Sequence, residues 1–432
     1  MKRVAILLFV LVFPLTSRAQ SETPPKNSEK QSNVAASQPA INAARSSEAT
    51  EEKAKDAASN EIPKHEADSA LAPPEFIEKG EISDHQLTSV VEQDLDTKME
   101  LYRRGDISLN MGGMIQIQGA FYVGDGAALE FEDPADTEGF RVRRARFGFG
   151  GRLLQYVSYY LAVDLKDTVT AAMGRSYGNE ILDASVSWDR FSFAQISVGV
   201  DKVPFSAFSM MSSSRLIMIE RPLTAEMLSP SRRVGITVSG ELGNLMYAFG
   251  GYNGSEGVTS GNRLAGLAVG GHVLYNILGQ PARFVPREFR LGIGGSYMYD
   301  NGAAVNLHRA GGSLDVQGWR LHLLTEFLWE RSIPDAVPFG APDAGEVTRW
   351  GVIGQASAFL WRSYVQVAFR YEYFRDNEQL PTFGQQQLIS SGLNIYLCRQ
   401  RLKLQVNYIR RDEKEGPEVP NDIGLAQLQA VF

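Results

Sequence analysis

The densest chemistry in this sequence is a run of guanidinium groups. Arg141, Arg143, Arg144 and Arg146 all fall within Phe140–Gly150 (FRVRRARFGFG). A guanidinium offers a planar fork of N–H donors that matches carboxylate and phosphate oxygens, and rings of Arg or Lys on a channel wall favour anions. Side chains in a strand alternate faces. With Ala145, Phe147 and Phe149 outward, Arg144 and Arg146 point inward. Arg141 and Arg143 then take the outward phase near a rim, beside lipopolysaccharide phosphates, unless a bulge intervenes. At a lipid midplane an Arg would cost about 2–4 kcal/mol.

A second basic set lies in and beside the stretch 202–231: Lys202, Arg215, Arg221, Arg232 and Arg233. Asp201, Glu220 and Glu226 oppose it, and pairs such as Glu220 with Arg221 would pin the stretch rather than serve a solute. Lys166, Arg370 and Lys403 add inward-phase bases, against Asp164, Asp183, Glu326, Glu330 and Glu372. The wall is therefore mixed in sign. In water a charge contact at 4 Å is worth only about 1 kcal/mol, so this set predicts a weak anion preference rather than a tight oxyanion filter. The pore-lining candidates are Arg144, Arg146, Lys166, Lys202, Arg215, Arg221, Arg232 and Arg233.

No catalytic or cofactor chemistry stands out. The five His (His65, His85, His272, His308, His322) lack metal-ligand spacing. Cys398 is the single Cys, so no internal disulfide forms. No nucleophile motif surrounds His272 or His322, which both take the inward phase. Neither catalysis nor a cofactor is expected.

The elements that must position these groups read as strands. Ile115, Ile117 and Phe121 alternate with Gln116, Gln118 and Tyr122. Val365, Val367, Phe369 and Tyr371 alternate with Gln366, Ala368, Arg370 and Glu372. Such segments recur about sixteen times from residue 112 to 432, each about ten residues long, the length that crosses a bilayer at a tilt. Links after odd strands are mostly long and polar, and links after even strands mostly tight. A short link at Asp300–Gly302 and a longer one around Gln280–Pro281 break the rule. The last strand, Ile423–Phe432, ends on an aromatic, as a strand closing an outer-membrane barrel does at its periplasmic girdle. The predicted fold is all-β: a transmembrane antiparallel β-barrel of about 16 strands behind a disordered N-terminal tail. A soluble sandwich would have shorter strands and no such asymmetry of loops.

The ends differ from the middle. Met1 to Ala19 reads as a signal peptide, with Lys2 and Arg3, an apolar run, and small residues at Ser17–Ala19. Residues 20–110 read as a disordered periplasmic spacer, poor in aromatics, with a short helix near 86–100 on Leu87, Val90, Val91 and Leu95. The net charge of −7 belongs to this tail: residues 21–100 hold 8 bases and 17 acids. Residues 111–432 make the barrel. No basic surface calls for a nucleic acid partner.

The blocks Gly199–Ser206 (GVDKVPFS), Ile219–Thr224 (IERPLT) and Pro230–Gly235 (PSRRVG), with Phe140–Gly150, Gly392–Tyr396 and Arg401–Tyr408, closely resemble the phosphate-selective porin O and P family. The resemblance covers roughly residues 112–432. It implies an outer-membrane porin of a Gram-negative cell, a homotrimer, open to small anionic solutes, with outer-membrane lipid and lipopolysaccharide as surroundings. It further implies that the stretch 202–231 folds into the channel. Phosphate and polyphosphate are candidate solutes. A plugged or adhesive barrel, and an outer-membrane hydrolase, are the alternative readings.

Overall fold

Sixteen period-two segments form strands, and the strands close on themselves. The computed structural model describes residues 92–93, 99–123, 139–165, 180–254, 266–281, 284–302, 305–334, 345–376, 385–414 and 421–432. The strands are β1 (Met99–Arg104), β2 (Ile107–Val123), β3 (Gly139–Leu154), β4 (Val157–Asp164), β5 (Glu180–Phe191) and β6 (Ala194–Lys202). Two short helices follow, α1 (Ala207–Met210) and α2 (Leu223–Leu228). Then come β7 (Arg232–Leu242), β8 (Leu245–Asn253), β9 (Leu267–Leu278), β10 (Arg290–Asn301), β11 (Val305–Gly318) and β12 (Leu321–Pro334). The set ends with β13 (Val347–Trp361), β14 (Val365–Arg375), β15 (Gln386–Cys398), β16 (Leu402–Glu413) and β17 (Asp422–Val431).

From β2 to β17 each strand pairs antiparallel with the next, and β17 returns to β2 from Asp422↔Val123 to Val431↔Met114. The 16-strand ring has no free edge, which lipid requires, since hydrocarbon offers no partner to an open N–H or C=O. The faces follow the predicted alternation. Ile115, Ile117 and Phe121 are exposed, whereas Gln116 and Gln118 are buried within the ring.

One end of the ring carries tight turns. Trp319 and Arg320 both have positive φ (49° and 69°), as the two-residue turn preferred between twisted strands demands. Aromatics crowd this end: Phe191 stacks on Phe193 at 5.1 Å, and Trp361 lies 5.8 Å from Tyr364. Phe432 packs edge-on against Phe147 at 5.9 Å. The two links that break the loop rule are borne out by the strand bounds: β11 begins at Val305 soon after β10 ends at Asn301, whereas β9 ends at Leu278 well before β10 begins at Arg290.

The sheet begins earlier than residue 111. β1 pairs with Ile107–Met111 of β2, just beyond the point where β17 stops. A Gly at 105 with φ of 58° makes this hairpin. Of the helix expected near 86–100, Met99 and Glu100 are in strand. Residues 86–91 and 94–98 lie outside the described residues, as do the signal peptide and most of the spacer.

Gly113 makes the seat of the last residue. Its N–H donates to the Phe432 carbonyl at 2.8 Å, and it accepts from the Phe432 N–H at 3.0 Å. A Cβ on Gly113 would stand 2.4 Å from the Phe432 ring. Gly113→Val is expected to destabilise the barrel by about 1–3 kcal/mol through this overlap. The check is the urea midpoint of the refolded protein in detergent, and an unchanged midpoint would show that the ring relocates freely.

Candidate functional site: a loop-lined constriction

Between β6 and β7 the chain leaves the ring and folds back into it. Pro204 has no N–H for the ladder and ends β6. Ser206 then caps α1, accepting from the Ser209 N–H at 3.2 Å. The loop is strongly apolar: Phe205, Phe208, Met218, Ile219 and Leu228 are almost wholly buried. They pack on inward-facing apolar residues of the wall. Val203, Phe205, Phe208 and Leu228 meet Leu324, Leu328, Ile353 and Phe374. Ile219 meets Leu388, Ile409, Ile423 and Leu425.

Polar ties fix the loop's height in the ring. Glu326 accepts from the Ser206 hydroxyl and the Ala207 N–H, both at 2.7 Å. Asn407 accepts from the Ile219 N–H at 2.7 Å, and Asn394 donates to the Ile217 carbonyl at 2.8 Å. Lys403 donates to the Leu216 carbonyl at 2.9 Å, and Arg370 to the Glu220 carbonyl at 2.8 Å. Two wall glycines make room. A Cβ on Gly351 would lie 2.5 Å from Thr224, and one on Gly392 2.9 Å from Met218.

The described candidate cations gather around this loop, each with a partner. Arg144 donates to Gln116 at 2.8 Å and stands 3.5 Å from Glu220. Arg146 pairs with Asp164 at 2.8 Å and reaches the Ser213 hydroxyl at 2.9 Å. Arg232 pairs with Asp183 at 2.8 Å and Arg233 with Asp300 at 2.6 Å. Arg215 pairs with Glu92 at 3.2 Å. Arg221 donates to the Met211 carbonyl at 2.7 Å, with Glu226 3.9 Å away. Lys202 donates to the Glu92 and Met211 carbonyls, each at 3.0 Å. Lys166 lies outside the described residues.

The outward placement of Arg141 and Arg143 is overturned. The β2–β3 register slips between Gln116↔Arg144 and Ile117↔Val142, so Arg143 is the extra residue of a bulge. Beyond it the phase is reversed: Val142 and Phe140 are exposed, and Arg141 donates inward to Gln118 at 2.7 Å. Arg143 also turns inward and pairs with Glu220 at 2.7 Å. Glu220 therefore faces two guanidinia. Burial works against its ionisation, but Arg143 and Arg144 outweigh that cost and hold its carboxyl well below the usual carboxylate range.

A second intrusion was not foreseen. The long turn 279–289 carries Phe284 inward, edge-on to Phe359 at 5.3 Å and to Tyr396 at 4.9 Å. Between it and the loop lies a cavity of about 240 Å³, bordered by Arg215, Arg290, Arg320, Met211 and Phe284. The signal for both intrusions was present in the sequence: the inward phase of several strands is apolar, at Leu324, Ile353, Phe374 and Leu425, and something must cover it.

Two outcomes follow from this packing. Gly392→Leu should push the loop off the wall and raise single-channel conductance in a planar bilayer; an unaltered conductance would mean the loop does not restrict flow. Glu220→Gln removes the acid shared by the buried Arg144 and the half-buried Arg143, at a cost of about 3–5 kcal/mol, and should move the reversal potential towards anions. Because the folded carboxyl is depressed, its contribution is complete above the ordinary carboxylate range and is lost only as pH falls through the lower folded value. The stability difference between the parent and Glu220→Gln should therefore persist from pH 7 to pH 4, as read by thermal melting.

Comparisons with known proteins agree with this architecture. The family model described as "Phosphate-selective porin O and P" matches residues 115–280. Among solved structures, the anion-selective porin of Comamonas acidovorans superposes with a TM-score of 0.53 at 14% identity, covering 76% of this chain and 100% of that one. The outer membrane channel DcaP of Acinetobacter baumannii gives 0.52 at 12% identity, over 77% and 100% of the two chains. OmpF of Salmonella typhi, in complex with daunomycin, gives 0.53 at 12%, over the same shares. These likenesses show the fold. No curated protein matches at a significant level. The matched segment contains the Gly199–Gly235 block and the loop it builds; over that segment this chain resembles the phosphate-selective porin O and P family, and it is an outer-membrane channel of a Gram-negative cell.

Proposed function

We propose that the channel passes small hydrophilic solutes passively, with a weak preference for anions, and that it works as a homotrimer. The observation that carries the preference is the surplus of positive charge along the loop's seat. Glu220 is shared by Arg143 and Arg144, while Lys403 is directed at a carbonyl oxygen of the loop. The surplus is modest. Asp201 is held by Ser185 and Ser197, and Glu326 by loop donors, so acids stand nearby as well. A handful of contacts near 1 kcal/mol each biases flow without trapping an ion. The trimer rests on the family resemblance and on the trimer form of the Vibrio cholerae outer membrane protein OmpT, a structural neighbour at 11% identity.

A second reading has an observation of its own. The loop, Phe284 and Glu92 all stand within the ring, so a barrel kept largely closed is the rival. The reversal potential of the purified protein across a KCl gradient, with phosphate then titrated in, separates the readings. Anion-leaning current with little phosphate block is the expected result. Cation-selective current would overturn the preference, full block by low phosphate would make the loop seat an oxyanion filter, and absence of current would favour the closed barrel. Light scattering of the detergent complex should give three copies per particle.

A further inference from the structure

Glu92 belongs to the chain ahead of the barrel, in a region read from sequence as a periplasmic spacer, yet it lies inside the ring. All four of its hydrogen-bonding positions are used, and all by the loop between β6 and β7 or its root. Its N–H donates to the Met210 carbonyl at 3.1 Å, and its carbonyl accepts from Lys202 at 3.0 Å. One carboxylate oxygen accepts from the Ser212 N–H at 2.8 Å, and the other from Arg215 at 3.2 Å. A backbone N–H beside a guanidinium is a cradle for a carboxylate, and charge-assisted bonds of this kind are the strong ones.

The pair is not sealed away. The side chains of Arg215 and Glu92 keep 35% and 25% of their exposure and border the cavity shared with Arg290 and Arg320. A passing ion therefore feels Arg215 already neutralised. The loop's other bases are less exposed, Lys202 being buried and the Arg221 side chain keeping 12%, so Glu92 stands against the loop cation most open to the lumen.

We propose that Glu92 is a built-in counter-anion that sets the channel's charge preference by occupying the Ser212–Arg215 cradle. This inference rests on the channel reading and adds the residue that tunes it. With Glu92 in place Arg215 contributes no net charge to the pathway. Without it, one guanidinium and one N–H donor face the solute, and small carboxylates and chloride gain a foothold.

The experiment compares full-length parent, Glu92→Ala and Glu92→Ala/Arg215→Ala in planar bilayers across a KCl gradient. Heat-modifiable gel mobility is the check that each barrel has closed. Glu92→Ala should raise the chloride-to-potassium permeability ratio at least twofold, and the double variant should return most of the way to the parent. If Glu92→Ala does not fold, Glu92→Gln, which keeps the side chain's shape, makes the same comparison. A ratio unchanged in the Glu92 variant, or a shift that survives in the double variant, overturns the proposal. A parent without current defeats the channel reading itself, whereas a conducting parent with unresponsive variants defeats only the role of Glu92.

Discussion

Everything in this molecule depends on the seam where β17 meets β2. In hydrocarbon an unpaired backbone amide has no alternative partner, so the ring must close along its full height. The ladder from Asp422↔Val123 to Val431↔Met114 does so, and β1 continues the cover past the end of β17. Closure also fixes the phase of every strand. Once Gln427 and Gln429 point inward, the alternation around the ring decides which side chains see lipid and which see the interior. A ring of sixteen strands is too wide for wall side chains alone to fill, so the interior needs a second layer.

The loop between β6 and β7 is that layer, and it behaves like the core of a soluble protein. Its apolar residues cover apolar wall positions, and its backbone groups are met by Glu326, Asn394, Lys403 and Asn407. The same packing governs the electrostatics. A buried ion without a partner is expensive, so the arginines nearest the loop are matched by Glu220, Asp164, Asp183 and Asp300. Stability and ion preference thus compete for the same side chains: an arginine that pins the loop to an acid has little field left for a passing anion.

Much of this was legible in the sequence. Each of the sixteen expected strands has its counterpart, because a half-wet, half-lipid strand can only be written with period two. The loop that enters the ring was legible through the Gly199–Gly235 block. The faces of Arg141 and Arg143 were not. Periodicity carries a phase forward from residue to residue, and a single extra residue at Arg143 resets it without altering composition. Many partners of the loop were also hidden, since they lie as far as 120 to 188 residues away along the chain: Glu326 for Ser206, Asn407 for Ile219. A pattern read in windows of ten residues holds no such information. Glu92 escaped for the opposite reason, as one acid among many in a segment whose composition argued against any fixed position.

The ion preference of such a channel is a small difference between large, opposed populations of charge. Deeply buried pairs contribute little to that difference, because their partners stand within about 4 Å and their fields cancel over the width of the ring. What remains is set by pairs still partly open to water. Arg215 is of this kind, held by a carboxylate from outside the barrel proper, whereas Arg146 and Arg233 are enclosed with wall acids. A barrel can therefore keep an inward loop and its arginines and still differ in selectivity through what the preceding chain lays against them. The ring and its loop build the constriction, and a residue from outside both helps to decide its sign.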